Sequence, residues 1–200
     1  MTTKEELELL LQIIQKHDLP MSPILEYAVK EKLQGKTNSE ANLVDMNESN
    51  SSQICTSYVE MFRNLSTGIK KGRKQPHKAV LLMSILELVG SGIIVDNKFE
   101  LNKTIVSSFA TIWDSFELGP KIPSVWIPFW YMKSEPFWHF KASTDESILQ
   151  NQLRFAGHPT VGQMRNVIKH AFVDEQLFKQ MQDANKRSAL TNALIETYLR

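Results

Sequence analysis

Residues Pro76 to Gly90 read PHKAVLLMSILELVG, and from Ala79 to Val89 only Ser84 and Glu87 are polar. Those two share one narrow stripe with His77, because steps of three and four residues return to the same face of a helix. A helix that is apolar nearly all round has to be surrounded by the rest of the domain, which makes this the central core helix. Pro76 fits its start, where a missing N–H costs nothing. The amino end of the most buried helix then opens onto Lys70, Lys71, Arg73, Lys74, His77 and Lys78. Free N–H groups, the positive end of the helix dipole and several cations converge there, which is what an anion such as phosphate needs.

The rest of the chain can enclose such a helix. Its 200 residues suffice for one ordinary domain plus an appendage, and a hydrophobic share of 42% buries a core without disulfides. The single cysteine, Cys55, excludes an internal disulfide and a cysteine-rich zinc site, and is expected to be a buried thiol. No charged-then-apolar leader opens the sequence and no run of about 18 apolar residues occurs, so a cytoplasmic protein without a membrane segment is expected. Net charge is only +1, so any nucleic-acid binding has to come from local clustering of cations.

Before the central helix, Thr3 to Lys16 and Ser22 to Leu33 carry helical periodicity with Pro20 between them, predicting a helical hairpin over residues 1–35. Residues 36–53 are polar and read as a linker. The main domain is expected over 54–200. Ile54, Tyr58, Met61, Phe62 and Leu65 mark its first helix. After Gly90 the apolar period changes to two, and Asp96-Asn97 suits a hairpin joining Gly92–Val95 to Lys98–Leu101. Asn102 can cap a helix with Ile105, Val106, Phe109, Ile112, Trp113 and Phe116 on one face. From Thr160 onward short helices are expected, with Met164, Val167, Ile168 and Phe172 inward, then Leu177, Phe178 and Met181, then Leu190, Leu194 and Tyr198.

Trp126 to Phe140, WIPFWYMKSEPFWHF, has seven aromatic residues in fifteen and two Pro-Phe-Trp triplets. The prolines argue for extended or turning backbone. Trp138 and Phe140 alternate like the inward face of a strand, while Pro128 to Trp130 read as a rigid apolar surface. The fold class expected is therefore mainly α: a helical domain with one small β-hairpin and an aromatic, proline-rich extended segment, preceded by the N-terminal hairpin.

Catalytic signals are sparse. The five histidines show no HExxH spacing, and Gly-x-Ser-x-Gly, Walker and dinucleotide motifs are absent, so neither a metal nor a cofactor is expected. Asp96-x-Lys98 with Glu87 upstream has the spacing of the Asp…Asp-x-Lys nucleases, in which two carboxylates hold Mg²⁺ and the lysine steadies the nucleophile. Asp96-Asn97 also reads simply as a turn. For the basic run, a solvated loop is the other reading. Arg154, Arg165, Lys169 and Arg187 can extend its patch.

Two passages together carry a resemblance. KGRKQPHKAVLLMSILELVGSG, followed by PFWYMKSEPFWHF, resembles the sulfur-binding domain of phosphorothioate-dependent restriction endonucleases of the HNH type, and VDEQLFKQMQDANKRSALTNALIETYL is similar to that domain's C-terminal helices. The resemblance runs over residues 54–200. It implies a DNA-binding module that takes a backbone sulfur into a shallow apolar cavity while basic side chains hold the surrounding phosphate. Carried onto this sequence, the cavity candidates are Pro128, Phe129, Trp130 and the adjoining Ile127, where the family often has an aromatic residue. The phosphate-side candidates are His77, Lys78, Arg73 and Lys74, with Arg154 and Arg165 as base-reading candidates. The implied partners are double-stranded DNA with a phosphorothioate linkage and a nuclease domain or subunit, in a restriction or defence system. A Mg²⁺-dependent nuclease using Glu87, Asp96 and Lys98 is the alternative, and a helical protein-interaction domain is a third reading.

Overall fold

A computed structural model describes residues 58–70, 72–119, 124–154 and 157–199, all within one compact unit spanning Gln53–Arg200. The expected N-terminal hairpin, the polar linker, Cys55 and Lys71 lie outside the described residues. At the centre is α1 (His77–Gly90), with Pro76 in the capping position and eleven of its fourteen residues buried. Four helices pack around it: α2 (Lys103–Ser115), α3 (Trp126–Tyr131), α6 (Glu175–Gln182) and α7 (Ala184–Tyr198). This is the enclosure that an all-round apolar helix requires. The lone serine in its apolar run is satisfied locally, Ser84 Oγ donating to the Val80 carbonyl at 2.7 Å.

Local signals set several boundaries. Asn102 Oδ1 accepts from the Ile105 N–H at 3.1 Å and starts α2, which buries Ile105, Phe109, Ile112 and Trp113. α4 (Glu146–Leu153) begins at Asp145, whose side chain accepts from the Ser147 N–H. α5 (Val161–Val167) begins with a capping box between Thr160 and Gln163. At the far end of α1, the Arg187 guanidinium lies 2.6 Å from where a side chain on Gly90 would begin, so any larger residue there would have to displace it. Arg187 there donates to the Met181 and Gln182 carbonyls, which commits it to the end of α6.

Two antiparallel strand pairs complete a mainly helical fold, where one hairpin was expected. The first pair, β1 (Ile69–Lys70) with β2 (Arg73–Lys74), is built from the basic run itself. The second joins β3 (Trp138–Ala142) to β4 (Ile168–Val173), in register from Trp138↔Val173 to Ala142↔Ile168 with an irregularity at Lys141/Ala142. Ile168 and Phe172 thus belong to a strand and not to the expected helix. Ile168, Ala171 and Val173 point inward, and β4 finds its partner in β3 far back in the chain.

The hairpin expected across Asp96-Asn97 does not form. Asn97 instead exchanges two hydrogen bonds with the backbone of Val173, at 2.7 and 3.0 Å, and Phe99 pairs with Ala171. Tertiary pairing on the free edge of β4 overrides the local turn signal, leaving Ile93 and Val95 60% and 67% exposed.

The start of the aromatic stretch is helical, not extended. Pro128 is the third residue of α3, within the first turn, where its missing N–H has no intrahelical partner to lose. Phe129 donates to the Val125 carbonyl at 3.1 Å, carrying the helix past it. A 3₁₀ turn (Met132–Ser134) follows, and Pro136 lies between it and β3.

Candidate nucleic-acid interface

Lys70, Arg73 and Lys74 of the basic run lie in an exposed two-stranded ribbon in which Lys70 stands directly across from Arg73. Gly72, at φ +76, supplies the left-handed backbone of its turn. Like charges facing each other across a ladder oppose its formation, and neither side chain makes an ion pair among the described residues. Lys74 is held back against the body: its ammonium donates to the Arg63 carbonyl at 3.0 Å and lies 5.2 Å from the centre of the Tyr198 ring. His77, the first residue of α1, is half-buried with its ring 5.2 Å from that of Trp113. Burial, and then the charge of Lys70, hold its pKa below the usual histidine value, so near pH 7 it is neutral. It offers a phosphate a ring N–H and no charge.

Lys78 is not a phosphate ligand. It is only 6% exposed; its ammonium meets Glu135 at 2.5 Å and donates to Ser134 Oγ at 2.7 Å. Burial lowers its pKa against the opposing pull of the Glu135 carboxylate. Glu135 also accepts from the Ser66 N–H at 3.1 Å. The pair therefore ties the first turn of α1 to the segment after α3 and to the loop before β1.

The sulfur-cavity candidates divide. Pro128, Phe129 and Trp130 are all buried, which removes the expectation that they form an open apolar surface. Trp130 is 0% exposed; its Nε1–H donates to the Gly157 carbonyl at 3.1 Å, and the Lys133 ammonium lies 4.5 Å from its ring centre. Phe129 packs edge-on against Trp138 at 5.6 Å. An inward turn of helix is the physical reason: a rigid extended segment would expose these rings, whereas α3 turns them onto β3, where Phe129 meets Trp138 and Phe140 and Trp130 stacks on Phe140. Ile127 stays half-buried, as do Trp126 and Tyr131. His158 stands beside the last two, its ring 4.7 Å from Trp126 and 6.2 Å from Tyr131. The accessible apolar face of α3 is thus Trp126, Ile127 and Tyr131. Residues 127 and 131 are one helical step of four apart, a relation visible in the sequence once the segment is taken as a helix.

Arg73 and Lys74 sit on the ribbon, one aimed outward and one tied down. Arg154 and Arg165 are exposed, at the ends of α4 and α5, and Arg165 lines a separate cleft. Of the nuclease alternative, Glu87 accepts from Ser108 Oγ at 3.1 Å, bridging α1 to α2, while Asp96 and Lys98 face each other at 3.5 Å on the surface. Among the described residues no three His, Cys, Asp or Glu side chains stand together as a metal site, and no helix is long and apolar enough to cross a membrane. Neither a scan against protein-family models nor a search of curated proteins gives a match to this chain.

Proposed function

We propose that this chain is a DNA-backbone reader that recognises a phosphorothioate linkage, acting in the cytoplasm within a restriction system whose nuclease is supplied by another domain or subunit. The observation that carries the reading is the β1–β2 ribbon: Lys70 and Arg73 are held outward, side by side and without carboxylate partners among the described residues, next to the amino end of α1. A polyanion relieves the repulsion that the ribbon itself cannot. α3 lies against α1, and the turn after it reaches Lys78, the neighbour of His77. Its accessible apolar side chains, Ile127 first among the original cavity candidates, are the surface offered to sulfur.

Sulfur is larger and less strongly hydrated than an anionic oxygen. Burying about 40 Å² of it against carbon is worth roughly 1 kcal/mol. Pressing an ordinary phosphate oxygen onto the same carbon removes water without supplying a donor, which costs about 1–3 kcal/mol. Together these give discrimination on the order of a hundredfold.

Titration of labelled duplexes with one phosphorothioate linkage or none, at several salt concentrations, tests this. Ile127→Ser is expected to erode the preference for sulfur, and Arg73→Glu to weaken both duplexes alike. Equal affinity of the unaltered chain for the two duplexes would overturn the reading.

A further inference from the structure

The outer face of the β3–β4 sheet plays no part in the sulfur reading. Pairing of His139↔Phe172 and Lys141↔His170 puts these four side chains on that face, because their neighbours Trp138, Phe140, Ala171 and Val173 are buried on the other. The bridge Phe99↔Ala171 lays a third segment along the opposite edge of β4. One step to either side of it, Lys98 comes beside Phe172 and Glu100 beside His170. His77 meets Trp113 and Glu87 meets Ser108, so α1 and α2 run antiparallel. Phe99, just before α2, therefore lies toward the end of α1 opposite the ribbon.

Three rings stand in a row on this face. Phe172 is half-buried, with the His139 ring 5.2 Å and the His170 ring 6.3 Å from its own. His139 is anchored: its Nε2 lies 2.7 Å from Asp174 Oδ1, and the Tyr58 hydroxyl donates to the other oxygen of that carboxylate at 2.9 Å. A ring fixed in this way has already given up the rotamer freedom that binding would otherwise remove. Cations surround the row. Burial, then the charges of Lys169, Lys98 and Lys141, hold the His170 pKa below the usual histidine value, against Glu100. All three lysines are exposed. Of the acids nearby, Asp174 is taken by His139 and Tyr58, and Asp96 shares an exposed contact of 3.5 Å with Lys98. Glu100 remains, one carboxylate among three ammonium groups.

We propose that this face binds an unpaired strand of nucleic acid, with successive bases stacking on Phe172 and the flanking imidazoles and the backbone phosphates running along Lys98 and Lys141. A strand presents π-faces and phosphates in alternation, and rings interleaved with cations answer both. An acidic or a purely apolar protein surface would match only half of the arrangement. Duplex DNA hides its base faces in the stack, so this site takes a different form of nucleic acid from the ribbon and does not rest on the sulfur reading.

The full chain is titrated with a short oligothymidylate and with an abasic strand of equal length and charge. The imidazole resonances of His139 and His170 serve as the local readout. The base-bearing strand is expected to shift both and to bind at least about fivefold tighter than the abasic one, the low end of what one stacked base contributes. Phe172→Leu keeps apolar bulk on the face and should remove most of that difference. Lys98→Ala combined with Lys141→Ala, both exposed positions, should keep the difference and reduce the salt slope by about 1 to 1.5, at roughly 0.7 per charge for a single strand. The difference should also survive Arg73→Glu, since the ribbon carries no ring. Equal binding of the two strands, imidazole resonances that do not move, or a salt slope unchanged in the double variant would each overturn the proposal. So would a folded Phe172→Leu that still discriminates, or loss of the difference in Arg73→Glu. Every ligand here carries oxygen only, so such failure leaves the phosphorothioate titration untouched.

Discussion

Lys78 and His77 are neighbours in sequence with opposite roles. Lys78 spends its charge inside the protein, on Glu135 and Ser134. Lys78→Ala leaves that carboxylate buried and unpaired, and should cost about 3–5 kcal/mol in a denaturant titration. Lys78→Met combined with Glu135→Gln keeps an acceptor for the Ser66 N–H and should recover most of the loss. His77 faces outward at the same turn, with Trp113 on α2 and Lys70 on β1 as its neighbours. Its folded pKa lies below the unfolded value, so its contribution to stability is present above about pH 6.5 and is lost as pH falls through the folded value. Binding to a phosphate runs the other way, because the anion favours the imidazolium. Affinity for duplex is expected to rise between about pH 7.5 and 5.5, and His77→Gln to flatten that rise. A pH-independent affinity in the unaltered chain would remove His77 from the interface. Neither role was separable in the sequence. The acid that internalises Lys78 lies 57 positions away, and no local pattern announces it.

Elements were legible where the signal was local and strong, and not where a distant partner decided the outcome. The central helix followed from apolar residues on every face, and the start of α2 from one asparagine. The aromatic stretch is helical against its proline content because Pro128 falls at the third position of α3, where it is tolerated, and the rings swing inward. Pro128→Gly accordingly empties a buried helical position and loosens the unfolded backbone, and is expected to lower stability by about 1 kcal/mol or more instead of altering binding alone. The hairpin after Gly90 failed because Asn97 and Phe99 complete the edge of β4. Asn97→Ala breaks two bonds to Val173, and should cost about 1–3 kcal/mol by thermal or chemical denaturation. The ribbon leaves no signature in the sequence, because two residues a strand show no alternation. Replacing Lys70 with Glu gives Arg73 an opposite charge across the ladder. Stability is then expected to rise by a few tenths of a kcal/mol while duplex affinity falls. A ribbon that served only as a loop would show the first change without the second.

At the scale of the molecule, 23 lysines and arginines against 22 acids leave almost no long-range field to draw in a polyanion. Four of the 23 are also engaged by the protein itself: Lys78 by Glu135, Lys74 by the Arg63 carbonyl, Arg187 by the end of α6, Arg63 by Glu60 and Glu196. Among the described residues, what remains beside the α1 mouth is Lys70 and Arg73, with His77 uncharged near pH 7. A general DNA-binding protein neutralises many phosphates and loses affinity steeply with salt, whereas this surface can displace only a few counterions. The logarithm of affinity against the logarithm of salt concentration is expected to fall with a slope of about −2 to −3 for duplex DNA. Plain duplex should then bind weakly at physiological salt. If sulfur is read through apolar contact, the phosphorothioate duplex must show the same slope displaced upward, because desolvated carbon contributes no counterion release. Parallel lines for the two duplexes locate the discrimination in the apolar contact on α3. A steeper line for the modified duplex would instead mean that sulfur recruits additional cations, and would move the recognition from Ile127 and its neighbours to the charged ribbon.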